Sequence, residues 1–271
     1  MSHSYALKRQ IEGALPTVVA MMPSEHEHGF IANSLRGLAH VAFSRSLEDA
    51  ERAIHERTPL MVLARCRDGD DGAVREFAVR QHLAHPDLPI VVVRPASATP
   101  ADALRIRDWA GVADVLHDND GHFRMRVSTL ITEAHHRVRR LDIAAYLARG
   151  VATPSREVVR SAIAHGNRPR SVRELAASIG VPRKTMYRRL SKSLALTARQ
   201  LVGWGRLIAV AMRLEAPAAT VEAAAHELGF ASPSALRNLL SRYTGLTPTE
   251  LRNGGGVEYL VKQLAQALEI T

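Results

Sequence analysis

Between residues 17 and 117 the chain alternates short apolar runs with longer amphipathic stretches, and after residue 155 the short runs stop. The runs are Thr17–Met22, His40–Ser44, Leu60–Ala64, Ile90–Val93 and Ala113–His117. Three of them, TVVAMM, LMVLA and IVVV, show no polar alternation, as expected of strands buried on both faces of a parallel sheet. Helical patterns lie between, at Gly29–Gly37, Leu47–Arg57, Asp71–Ala84 and Ala101–Trp109. Strand and helix in strict alternation predict a doubly wound α/β domain. Pro86, Pro89, Pro95 and Pro100 punctuate the turns around the fourth strand. A helical pattern from Phe123 to Ala148 then outruns what one small sandwich needs, so it reads as a connector or a dimer-forming helix. Gly150 and Pro154 break it, which sets the boundaries at 1–148, 155–253 and 254–271.

The second part carries helical patterns only: Arg156–His165, Val172–Ile179, Arg183–Ser193, Ala198–Leu214, Val221–Leu228, Ser234–Tyr243 and Pro248–Arg252. Ser171 and Glu174 fit a capping box, Gly180 a helix stop, and Thr220 an N-cap. The run GGG at 254–256 reads as a flexible joint before a final amphipathic helix. The stripe of that helix, Val257, Leu260, Val261, Leu264 and Leu268, is expected to meet the protein body or a second subunit. A membrane is not its expected partner, because Lys262 is the lone cation on its polar face.

Charge separates the two parts further. Of the net +9, residues 1–144 contribute −1 (18 Lys/Arg, 19 Asp/Glu) and residues 145–271 contribute +10 (18 against 8). A concentrated cation calls for a polyanion, either nucleic acid or an anionic membrane surface. At 46% hydrophobic and 23% charged, the 271 residues suit two folded domains and exclude a disordered chain. No apolar run nears the roughly 20 residues of a membrane span. The start MSHSYALKRQ lacks a secretory pattern, and Cys66, being alone, excludes an internal disulfide and a thiolate zinc cage. A reducing cytoplasm is the expected compartment. No Gly-rich phosphate loop follows the first strand, where MMPSEHEHG stands. His26 with His28, and His135 with His136, lack metal-ligand spacing. No catalytic residue, metal or cofactor is therefore expected, and the chain does not read as an enzyme.

Two segments of the basic part are alike: SVRELAASIGVPRKTMYRRLSKSL at 171–194 and TVEAAAHELGFASPSALRNLLSRYTGLTP at 220–248. Each has an Ala-containing helix, a glycine (Gly180, Gly229) for a sharp turn, and a second helix with basic residues, which is helix-turn-helix spacing. The small residues Ala176, Ala177, Ala224 and Ala225 would let paired helices cross closely. The region 155–252 resembles the DNA-binding domain of the AraC/XylS family of transcription regulators. The resemblance rests on the ending LGFASPSALRNLLSRYTGLTPTELR, with its Gly-Phe pair and Gly-x-Thr-Pro-x-x-x-Arg close. Leu236, Leu240 and Leu190 depart from the phenylalanines usual there. The resemblance implies seven helices, with Ala198–Leu214 as the rigid link between two reading heads. It offers Arg183, Lys184, Thr185, Tyr187 and Arg188 to bases from the first head, and Ser234, Arg237 and Asn238 from the second. The chemistry suits this: Arg forks onto guanine and Asn bonds adenine on two atoms. Arg170, Arg189, Lys192 and Arg242 would hold phosphates. Double-stranded promoter DNA, a second copy of the chain and RNA polymerase are the implied partners.

The first part resembles the flavodoxin-like receiver domain of response regulators in architecture only. A receiver needs paired acids after its first strand, an acceptor Asp after the third, Ser/Thr after the fourth and Lys after the fifth. Here those places hold Met21, Met22 and Pro23; Ala64, Arg65 and Cys66; Arg94 and Pro95; and His117, Asp118 and Asn119. This reads as a pseudo-receiver for dimerisation or phosphorylation-independent input. Asp68, Asp70 and Asp71 fall in a loop and are not expected to be phosphorylated. Arg65, Arg67 and Arg94 would either meet a small anion or pair with those acids, and Cys66 is either a redox sensor or a small strand-end residue. The alternatives for the whole chain are an α/β small-molecule-binding protein or a docking adaptor whose basic part holds DNA without specificity.

Overall fold

The computed structural model describes residues 15–67, 69, 71–165, 171–216 and 218–269, which fall into two compact units divided between His135 and His136. In the first unit five strands, β1 (Thr17–Met21), β2 (His40–Ser44), β3 (Met61–Arg65), β4 (Ile90–Arg94) and β5 (Val112–His117), form one all-parallel sheet in the order β2-β1-β3-β4-β5. That is the flavodoxin-like doubly wound order. Helices α1 (Glu25–Leu35), α2 (Leu47–Arg57), α3 (Asp71–Ala84), α4 (Pro100–Arg107) and α5 (Phe123–Arg149) connect and cover it. The sheet has a separate apolar core on each face. Val62 and Ala64 join Val74 and Phe77 on one side; Met61 and Leu63 join Ile31, Leu35 and Phe123 on the other. Every residue of β3 and β4 is buried, which is why their sequences carry no polar alternation.

Helix α1 begins four residues before the Gly29 at which its apolar pattern starts. Its beginning is set by Ser24 and Glu27: the Glu27 N–H donates to Ser24 Oγ at 3.4 Å, and the Ser24 N–H donates to Glu27 Oε2 at 3.0 Å. Its far end is closed from α5, where Arg124 donates to the carbonyls of Asn33, Ser34 and Arg36 at 3.1, 2.8 and 2.9 Å.

The 27-residue α5 contains the division between units. Its Phe123, Val127 and Ile131 belong to the sheet core, and its Ile143, Ala144 and Leu147 to the helical core. The second unit continues with α6 (Thr153–Ala164), α7 (Val172–Ser178), α8 (Arg183–Ser191), α9 (Ala198–Leu214), α10 (Val221–Glu227), α11 (Pro233–Thr244), α12 (Pro248–Asn253) and α13 (Gly256–Ala267). Among the described residues, α6 to α12 supply the seven helices that the family resemblance implies.

Helix α9 is the hub, with Leu201, Leu207, Ile208 and Ala211 in the large core and Val210 and Leu214 in a smaller one with Ala224, Ala225 and Leu236. Glycine is required at Gly205, where a β-carbon would lie 2.0 Å from the Ala162 carbonyl oxygen of α6. The GGG run is a tight turn and not a flexible joint: Gly255 and Gly256 have φ of 106° and 53°, which fold α13 back. The stripe Val257, Leu260, Leu264 and Leu268 is then buried in the unit's own core.

Candidate nucleic-acid interface

The two similar segments fold into the same object twice. Ser171 Oγ accepts from the Glu174 N–H at 3.2 Å, and Thr220 Oγ1 from the Ala223 N–H at 3.1 Å. Gly180 and Gly229 end α7 and α10 in the left-handed region, at φ of 64° and 62°. The chain then bonds back from Val181 N–H to the Ala176 carbonyl at 3.1 Å, and from Phe230 N–H to the Ala225 carbonyl at 2.8 Å. The second turn is one residue longer, and its Ser232 caps α11 by accepting from the Ala235 N–H at 3.1 Å, whereas α8 starts behind Pro182 with no side-chain cap. Phe230 is fixed by α9, where the Arg206 guanidinium lies 3.8 Å from its ring centre.

The buried pairs are Leu175 with Ala176 and Ala224 with Ala225. Ala177, expected at the crossing, is exposed, one position beyond the buried Leu175 and Ala176 of α7. Met186 and Leu190 of α8, and Leu236 and Leu240 of α11, point into the cores. The leucines that replace the usual phenylalanines therefore keep their packing role.

Burying those pairs turns the intervening residues outward. Lys184, Tyr187 and Arg188 are exposed on α8, and Ser234, Arg237 and Asn238 are exposed at the equivalent places on α11. Spacing of i, i+3 and i+4 puts each trio on one stripe. Arg183, Lys192 and Arg242 are exposed as well, Thr185 is half-buried, and Arg170 lies outside the described residues. Arg189 is half-buried, 3.6 Å from Glu157. An open cleft of about 760 Å³ borders the α8 stripe, lined by Lys184, Tyr187, Arg188, Leu194, Leu196 and Ala198. Sequence reasoning missed one partner: Arg237 donates to Glu222 at 2.8 Å. The two residues are 15 apart on different helices, so no local pattern announces the pair.

The strand ends of the first unit hold a second cluster. Arg65, the last residue of β3, is paired through Nε to Glu27 at 2.8 Å and through Nη2 to Asp118 at 2.8 Å. Glu27 also meets Arg67 at 3.0 Å. Arg94 reaches Asp71 at 3.2 Å, and Arg105 bonds the same carboxylate. Of the expected acids only Asp71 takes part here, while Asp68 and Asp70 lie outside the described residues. Burial opposes ionisation of Asp71, but the Cys66 thiol donating at 3.2 Å and the Arg105 guanidinium outweigh it and hold the carboxyl below its ordinary range. Cys66 is buried, and desolvation together with the Asp71 charge pushes its thiol up to about 11, the opposite of a reactive thiolate. Among the described residues, no group of three His, Cys, Asp or Glu is arranged to hold a metal ion. None of the described helices is long and apolar enough to cross a membrane.

Comparison with known proteins agrees with this geometry. Residues 175–254 match the model of a helix-turn-helix domain family. The chain is 30% identical over 210 residues to an AraC-like transcription regulator of Streptomyces antibioticus, covering 70% of this chain and 66% of that one. A response regulator receiver domain protein from Clostridium thermocellum superposes at 14% identity and TM-score 0.37, over 46% of this chain and 98% of its own. Full-length FixJ from B. japonicum does so at 12% identity and TM-score 0.38, over 87% and 100%. The receiver-like fold of the first unit stands on its strand order rather than on these superpositions. With its seven helices, doubled turn and matched family model, the C-terminal unit is a helix-turn-helix domain, similar to that of an AraC-like regulator.

Proposed function

We propose that this chain is a sequence-specific, non-enzymatic transcription regulator that reads two adjacent major grooves with α8 and α11. The observation that carries the reading is the repeated stripe: Lys184, Tyr187 and Arg188 on one helix, Ser234, Arg237 and Asn238 on the other, each exposed by the burial of its neighbours. Arg188 and Arg237 suit guanine and Asn238 suits adenine. Arg183 and Thr185 flank the first trio. Lys192, Arg242, Arg189 and Arg170 are assigned to phosphates, which position the domain without reading sequence. The pseudo-receiver serves as a dimerisation or input module, and promoter DNA and a second copy of the chain are the partners. Domain bounds of 1–148, 155–253 and 254–271 go with this reading.

Selection of bound duplexes from a random pool tests it. The expected result is one motif with two half-elements about one helical turn apart, on the order of 10 base pairs. Arg188→Ala should relax the preference at one position by about 1–3 kcal/mol. A pool that yields no enriched motif overturns the reading.

A further inference from the structure

The two heads share a backbone but not a charge. Residues 171–194 carry six Arg/Lys (Arg173, Arg183, Lys184, Arg188, Arg189, Lys192) against Glu174, a net of +5. Residues 220–244 carry Arg237 and Arg242 against Glu222 and Glu227, a net of zero. The structure widens the difference. Arg183, Lys184, Arg188 and Lys192 are exposed and form no ion pair with an acid among the described residues. Arg237 is held at 2.8 Å by Glu222, and Glu227 takes Arg213 of α9. Position by position, Lys184 stands where Ser234 does, Arg188 where Asn238 does, and Arg189 where the apolar Leu239 does.

Counterion release makes the salt dependence of DNA affinity follow the number of phosphates a protein neutralises, with a slope of about −0.9 per contact on duplex DNA. Neutral amide and hydroxyl groups add nothing to that slope, yet they still discriminate bases. We infer that the heads divide the work: α8 and its surroundings supply the charge-driven grip on the duplex, while α11 is a nearly neutral reader whose one base-facing cation is restrained by Glu222. This rests on the DNA-binding reading above and goes beyond it, because that reading treats the two heads as equals.

The test measures affinity of the full chain against salt concentration, on the selected duplex and on a random-sequence duplex of the same length. On the random duplex, where no base is matched and the exposed cations of α8 fall on phosphates, replacing Arg183, Lys184 and Lys192 together by Gln should reduce the magnitude of the slope by about 2.7, and replacing both Arg237 and Arg242 by Gln should reduce it by no more than about 1. Glu222→Gln releases Arg237, so it should tighten binding to the random duplex and steepen the slope by up to about 0.9. A gain of this kind cannot come from misfolding. Equal slope losses from the two multiple variants, or no gain from Glu222→Gln, overturn the division of labour. If the unaltered chain binds neither duplex, it is the DNA-binding reading itself that fails.

Discussion

Gly205 shows how little room a single position leaves. A β-carbon there would come within 2.0 Å of a backbone oxygen, and backbone cannot rotate aside. Gly203 is tight too, with Tyr243 Oη 2.1 Å from the same imagined atom, but that hydroxyl ends a side chain that can turn. Gly205→Ala is expected to destabilise the second unit by about 1–3 kcal/mol, and Gly203→Ala by less, read as the difference in denaturant midpoints. Cys66 gives a second residue-scale expectation. With its thiol buried and raised to about 11, it should resist a thiol reagent at neutral pH until the protein unfolds, so the labelling rate reports opening of the first unit. Rapid labelling of native protein would refute this. The sequence left Cys66 open between sensor and filler, because the acid that decides the matter, Asp71, is brought in by the start of α3.

At the scale of elements, what was legible depended on how local the cause is. The parallel sheet could be read because buried strands need unbroken apolar runs, and α2, α3 and α9 because their helical patterns are uninterrupted between the bounds that the structure gives them. The start of α1 was missed although Ser24-x-x-Glu27 lay in the sequence, since a cap is a weaker signal than an apolar stripe. The joint at 254–256 was misread because glycine alone does not say whether the next helix finds a surface; burial of Leu260 and Leu264 does. Caps also yield a measurable expectation. Thr197 Oγ1 accepts from the Gln200 N–H at 3.3 Å at the head of α9, so Thr197→Ala should cost about 1 kcal/mol in thermal or denaturant unfolding. The ion pairs of the first unit were illegible for the opposite reason: Glu27, Arg65 and Asp118 come from three distant parts of the sequence. Which residues of α8 and α11 are exposed was readable from the apolar positions between them, while the Glu222 restraint on Arg237 was not.

For the whole molecule, pH should separate the two units. In the first, burial opposes ionisation of Glu27, Asp71 and Asp114, but hydrogen bonds and nearby arginines win, and all three carboxyls are held below their ordinary range. A depressed folded value means the unfolded chain takes up protons first, so the stabilisation is present above about pH 4 and is lost as pH falls through the folded values. In the second unit, Asp142 is shifted upward by burial, and the lowered Glu222 and Glu250 are surface groups. Circular dichroism melts across pH 5 to 2 should therefore show the sheet unit failing first, and simultaneous loss of both units would contradict this.

The guanidinium at the end of β3 carries one more consequence. Among the described residues it is the one positive charge contacting both Glu27 and Asp118, and side chains so sheltered tolerate like neighbours badly. Arg65→Asp would thus gather three acids at the ends of the strands. Such a variant should be crippled in plain buffer and rescued by millimolar magnesium, which seeks clustered carboxylates.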